Sequence, residues 1–195
     1  MTNKYLTRMK DTVNKFYEAM KAARAEIEKN NERYLPNIAA EENDKIAENL
    51  RAQERAAEAE IDTIAKEAVA DVERWKALSG SEIDDADLKL LQGAFKLDEN
   101  DIKDLVEKHK DNGTMIRAIG DYAEAHKIAA VIPTSEAKIK AYSIVAGDAK
   151  NMIGEIEDAL LRNQPNASGF TIDAIAQGFL NEASLVYGQS LSVLL

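Results

Sequence analysis

The side chains best suited to acid–base or metal chemistry are few in this chain. His109 and His126 are its two imidazoles, and there is no cysteine. The histidines are not at the four-residue spacing that places a metal-binding pair on one helical face. Without thiolates, a metal site would have to be built mainly from carboxylates. The acidic runs DDAD (84–87) and DENDIKD (98–104) lack the glycine and the bidentate glutamate of a calcium loop. No glycine-rich phosphate cradle and no G-x-S-x-G turn occurs. Both histidines read as surface or cap residues near helix ends. The expectation is a non-enzymatic protein with no catalytic residues, no metal and no cofactor.

A second chemistry to weigh is nucleic-acid reading. Two helical patterns flank KHKDNGT (108–114), so residues 98–127 have the outline of a helix-turn-helix. The second helix offers Arg117 toward base edges, but Asp121 and Glu124 accompany it, and the helix before it is acidic. An ordinary helical hairpin explains the same residues. The alternative function that survives is a regulatory binding module using 98–127 to capture nucleic acid or a host protein.

Charge weighs against nucleic acid. The chain has 195 residues and a net charge of −10, but the distribution is uneven. Residues 1–24 carry Lys4, Arg8, Lys10, Lys15, Lys21 and Arg24 against Asp11 and Glu18, a net of +4. Residues 80–195 hold 11 basic and 19 acidic side chains, a net of −8. An acidic body repels a phosphate backbone, whereas the basic first helix can draw in an acidic partner. No signal peptide and no run of about twenty apolar residues is present, so no membrane is expected and a cytoplasmic setting is.

The elements that must carry any function are helical. With 45% hydrophobic residues, three prolines and nine glycines, the composition suits a folded α protein. Tyr5, Met9, Val13, Phe16, Met20, Ala23 and Ile27 follow steps of three and four, one face of a helix. After Pro36 the pattern resumes at Ile46, Leu50, Ala57, Ile61, Ile64, Ala68, Val72 and Trp75, with matches eleven residues apart. That period belongs to a nearly straight or slightly right-handed coil.

Within RYLPNIAAEENDK (33–45), Pro36 must break or kink the helix near Tyr34. Eleven-residue steps run across the break, from Phe16 to Ile27 to Ile38 and from Leu35 to Ile46 to Ala57. That phase favours a kinked rod over a hairpin. A rod so long, with an alanine-rich seam, needs a partner. The expected oligomer interface is Met9, Val13, Phe16, Met20, Ile27, Ile46, Leu50, Ile61, Ile64, Val72 and Trp75. Trp75 reads as an anchor where rod meets body, and Gly80 as the stop of the second helix.

From residue 80 the helices shorten. Asp98 is placed to cap one helix, with Asp101 near its third position and Lys108 and Lys110 near its end. TMIRAIGDYAEAHKI forms the next, and Pro133 and Thr134 open a helix of about thirty residues. After RNQPNASG, the segment FTIDAIAQGFLNEASLVYGQSLSVLL is the last helical pattern. No run shows convincing strand alternation, and KIAAVI is too short to decide. The expectation is therefore an all-α chain: long coiled-coil-like amphipathic helices over 1–79, as a kinked rod or hairpin, then a compact helical bundle over 80–195.

The stretch LDENDIKDLVEKHKDNGTMIRAIGDYAEAH through IPTSEAKIKAYSIV resembles small helical head-morphogenesis proteins of tailed phages of Gram-positive bacteria. The likeness covers the second half of the chain and carries no functional residue across. It implies a structural or assembly factor, scaffolding-like or a minor virion component, found in the host cytoplasm during assembly and in the virion if it stays. Its implied partners are other copies of itself and the phage coat or other head proteins. The chain departs from such scaffolds at its apolar end, where a basic coat-binding terminus is the rule. The expected partner-binding residues are therefore Lys4, Arg8, Lys10, Lys15, Lys21 and Arg24, together with Leu191, Val193, Leu194 and Leu195.

Overall fold

A computed structural model describes residues 4–78 and 83–161. The order is α1 (Lys4–Arg33), α2 (Pro36–Lys76), α3 (Asp85–Lys89), a π-type turn (Leu90–Ala94), α4 (Glu99–His109), α5 (Gly113–Ala125) and α6 (Ser135–Leu161). The expected stop at Gly80, the loop from Arg162 and the last helical pattern lie outside the described residues. Packing groups the described chain into two units. Of the described residues, one unit holds 4–66 and 143–161, and the other holds those between Glu67 and Tyr142. The segments 1–79 and 80–195 follow punctuation along the chain, whereas these units divide α2 and α6, each of which contributes to both.

In the first unit the chain reverses at Pro36. Helix α1 ends at Arg33, Tyr34 and Leu35 turn, and α2 begins with Pro36 itself. Proline suits the first position of a helix, where its missing N–H would have no partner anyway. The Leu35 carbonyl accepts from Ala39 N at 2.9 Å, closing the first turn of α2. Asn30 Nδ2 donates to Asn43 Oδ1 at 3.1 Å, and Asn43 Nδ2 donates to Asn31 Oδ1 at 2.9 Å. Those bonds fold α2 back on α1 as a helical hairpin.

The kinked rod is thus the wrong one of the two expected forms. The phase that favoured it ran through Leu35 and Ile38, and both are exposed in the structure. The match across the break marked no shared face.

The seam is covered from within the chain. Tyr5, Met9, Val13, Phe16 and Met20 of α1 and Leu50, Ile61 and Ile64 of α2 are buried, as are Ala149, Met152, Ile153 and Ile156 of α6. Ion pairs from Arg51 to Glu157 (3.5 Å) and from Lys150 to Asp62 (2.8 Å) fix α6 antiparallel to α2. A third helix removes the apolar stripe from water, each large side chain contributing about 2 kcal/mol.

The second unit has its own core of Ile102, Leu105, Ile116, Ile119, Tyr122 and Ala123. Its helix starts follow the expected chemistry. Asp98 accepts from Asn100 N (2.8 Å) and Asp101 N (3.0 Å), while Asp101 Oδ2 accepts from Asp98 N (2.8 Å), a reciprocal cap. Thr134 Oγ1 accepts from Ala137 N at 3.1 Å. Helix α5 ends differently, with Lys127 at φ 55° where glycine is usual. There Lys127 N donates to Glu124 O (3.1 Å) and Ile128 N to Ala123 O (2.9 Å).

Candidate functional site

Among the described residues, a close group of ionisable side chains lies where α3 meets the end of α4. Asp84 caps α3, its Oδ1 accepting from Ala86 N and Asp87 N at 3.1 Å each. One turn on, the Asp87 carboxylate reaches α4, where Oδ2 accepts from Lys108 Nζ and from His109 Nε2, both at 2.6 Å. Lys108 also donates to Asp84 Oδ2 at 3.3 Å. Asp87 and His109 are both buried, whereas Lys108 is exposed.

The electrostatics follow from that geometry. The Lys108 ammonium, and then the His109 ring, hold the Asp87 carboxyl below its usual range. The Asp87 backbone N–H, and then Lys108, do the same for Asp84. Lys108 is in turn held above the usual lysine value, chiefly by its bond to Asp87. Asp84, Asp87 and His109 have ligand atoms close enough to share an ion. Yet Lys108 already stands on both carboxylates in the place a cation would take. The arrangement pins α3 to α4, and its charges are spent on one another.

Asp87 therefore gives an acid-dependent contribution. A carboxyl whose folded pKa is lowered stabilises the fold above its unfolded value, near pH 4, and loses that effect as pH falls through the folded value. Asp87→Asn should cost about 1–2 kcal/mol at neutral pH. In urea titrations the gap between wild type and variant should close as the pH drops toward 3 or below. A gap that stays constant with pH would show that the carboxylate charge is not what holds the pin.

A groove of about 520 Å³ lies elsewhere in the same unit, with Trp75, Ile116, Gly120, Ile132 and Pro133 among its walls. Trp75 Nε1 donates to Lys110 O at 3.1 Å. The Lys138 ammonium lies 3.9 Å from the Trp75 ring centroid and donates to the same carbonyl at 3.3 Å. Burial pushes Lys138 below the usual lysine value. The Asp111 carboxylate acts the other way, because its charge favours the ammonium form. Trp75 here is an anchor with both ring face and N–H engaged.

The expected residues fall as follows. Of the interface set, Met9, Val13, Phe16, Met20, Leu50, Ile61, Ile64 and Val72 are buried and Ile27, Ile46 and Trp75 half-buried within a single chain. The basic residues line α1: Lys4, Arg8, Lys10, Lys15 and Lys21 are exposed and Arg24 half-buried. Lys21 pairs with Glu18 at 2.8 Å and Arg24 with Glu28 at 3.1 Å. Exposed pairs of this kind are worth well under about 1 kcal/mol, so an acidic partner can recruit these cations at little cost. Leu191, Val193, Leu194 and Leu195 lie outside the described residues.

Arg117 is exposed, but Asp121 and Glu124 are exposed beside it on α5. His109 departs from the expected surface position and is buried against Asp87, while His126 is exposed and stacks on Tyr122 with centroids 4.0 Å apart. One feature went unread in the sequence. The reversal leaves Tyr34, Leu35 and Ile38 exposed together at the hairpin tip, Leu35 at 68%. The signal was present in YLPNI, apolar residues straddling a helix-starting proline.

Among the described residues no helix is long and apolar enough to cross a membrane. Comparison with family models, with curated proteins and with solved structures gives no match.

Proposed function

We propose that this chain is a non-enzymatic structural or assembly protein of a tailed-phage head that works by docking. The observation that carries the reading is a helical hairpin whose seam is covered by its own chain but whose tip is apolar and exposed. Tyr34, Leu35 and Ile38 stand at the turn, two of them fixed by the short connection and one on the first turn of α2. A covered seam makes the hairpin a stiff arm, and the exposed tip gives it something to insert into a pocket on a coat or other head protein. The basic outer face of α1 adds attraction toward an acidic partner, speeding encounter more than deepening affinity.

The phage setting rests on the likeness of residues 97–145 to head-morphogenesis proteins, and the docking mechanism rests on the tip. Nucleic-acid capture through 98–127 is the weaker reading, because Asp121 and Glu124 flank Arg117 on the exposed face of α5.

The test is a triple variant, Tyr34→Ser with Leu35→Ser and Ile38→Ser, followed by mass spectrometry of precursor and finished particles. Substitutions at exposed positions leave the helices intact, so circular dichroism should not change. The variant should be depleted from precursor particles. Wild-type abundance of the variant in both kinds of particle would overturn tip docking. For the wild-type chain, loss on maturation identifies a scaffold and retention a virion component.

A further inference from the structure

The connection from α5 to α6, residues 128–134, is non-helical, and over 128–132 its burial alternates. Ile128, Ala130 and Ile132 are half-buried and packed against the core of their unit, while Ala129 and Val131 are exposed, Val131 at 75%. A period of two is the mark of extended backbone lying on a surface. By that pattern residues 128–132 run extended over helices, with no strand pairing among the described residues. Among the described residues no backbone hydrogen bond reaches Ala129, Ala130, Val131 or Ile132, as donor or as acceptor. Such a row of free N–H and C=O groups is a template for another strand. Val131 and Ile132 are β-branched and suit pairing, and none of the four residues is charged.

We propose that Ala129–Ile132 is a self-pairing edge, joining two copies of this chain through a two-stranded antiparallel ribbon. Self-pairing is favoured over a foreign peptide by the charges at the two ends. Lys127 stands before the strip and Glu136 after it, both exposed. With a two-fold axis at Val131, antiparallel pairing places Ala130 of one copy opposite Ile132 of the other. Lys127 is then brought beside Ser135 and Glu136 of the second copy, a complementarity that no arbitrary peptide supplies. In this register four N–H···O=C bonds form between Ala130 and Ile132 of the two chains. Pro133, which has no N–H to donate, falls outside the ladder. The two Val131 side chains meet across the axis as an isologous contact. The edge stands on its own geometry and does not depend on the head-assembly reading.

Sedimentation equilibrium on the full chain tests it, from micromolar to sub-millimolar concentration. Wild type should approach twice the 21.5 kDa chain mass as concentration rises. Val131→Lys and Val131→Glu each place like charges on the axis and should leave monomers with unchanged circular dichroism. An equimolar mixture of the two variants should regain the dimer, because opposite charges then face each other. A monomeric wild type overturns the proposal, as does a dimer indifferent to Val131→Lys or a mixture that stays monomeric. None of these outcomes bears on tip docking, which is read in particles.

Discussion

Replacing Gly113 with alanine is expected to cost about 3 kcal/mol of unfolding free energy, because overpacking of a site that cannot relax is among the costliest single changes. Gly113 opens α5 and is buried under the end of α2. A Cβ built there would overlap the Trp75 backbone carbonyl, and backbone cannot swing aside as a side-chain tip can. Two other glycines make the comparison internal. At Gly120 the nearest atom is an Ile132 side-chain carbon at 3.3 Å, which can yield by a few tenths of an ångström, so the cost should be small. At Gly154, within α6, nothing lies within 4 Å. Alanine there should stabilise by up to about 1 kcal/mol through helix propensity and a less free unfolded chain. Urea denaturation of the three variants checks the order. A Gly113→Ala variant within 1 kcal/mol of wild type, on the order of ordinary surface changes, would mean that α5 does not start against Trp75.

The second large effect lies in the other unit. Ile153→Ala should cost about 3 kcal/mol, within the usual range for a buried isoleucine truncated to alanine. Ile153 is fully buried, and it sits on α6 between the two residues that pair with α2, Lys150 and Glu157. The loss would come from a cavity against the hairpin, so the denaturant slope should stay the same while the midpoint falls. If α6 stood away from the hairpin, the same substitution would be nearly silent in urea melts. The hairpin stripe would then need a second chain to cover it.

Much of the fold was legible locally. The starts of α4 and α6 were marked by Asp98 and Thr134, whose side-chain oxygens cap the backbone of their own first turns. The apolar face of α1 from Tyr5 to Met20 was readable because helical spacing is a short-range property, and every one of those residues is buried. The direction of the chain at Pro36 was not readable that way. A proline that breaks one helix also begins the next, and the choice is made by contacts between Asn30, Asn31 and Asn43, twelve and thirteen residues apart. The role of α6 depends on ion pairs nearly ninety residues apart for Lys150 and Asp62, and periodicity cannot register those.

The ionic pin was hidden for the same reason. Asp87 and His109 are twenty-two residues apart and meet only once α3 has docked on α4. DDAD on its own reads as an acidic first turn. The in/out alternation over 128–132 lies within KIAAVI (127–132), but burial is a tertiary property and six residues do not display it alone.

The reversal at Pro36 decides which surface is offered, since a rod would expose the seam and a hairpin exposes the tip instead. The chain has no cysteine, so spin labels can be placed at Lys10 and Lys66 through two introduced thiols without side reactions. Both positions are exposed in the structure. Double electron–electron resonance should give a distance below about 30 Å, set by the 8–10 Å spacing of packed helices plus the label arms. A continuous helical rod would separate the same labels by about 80 Å, at 1.5 Å per residue. A distribution centred near that longer value would contradict the hairpin, its covered seam and the docking tip together.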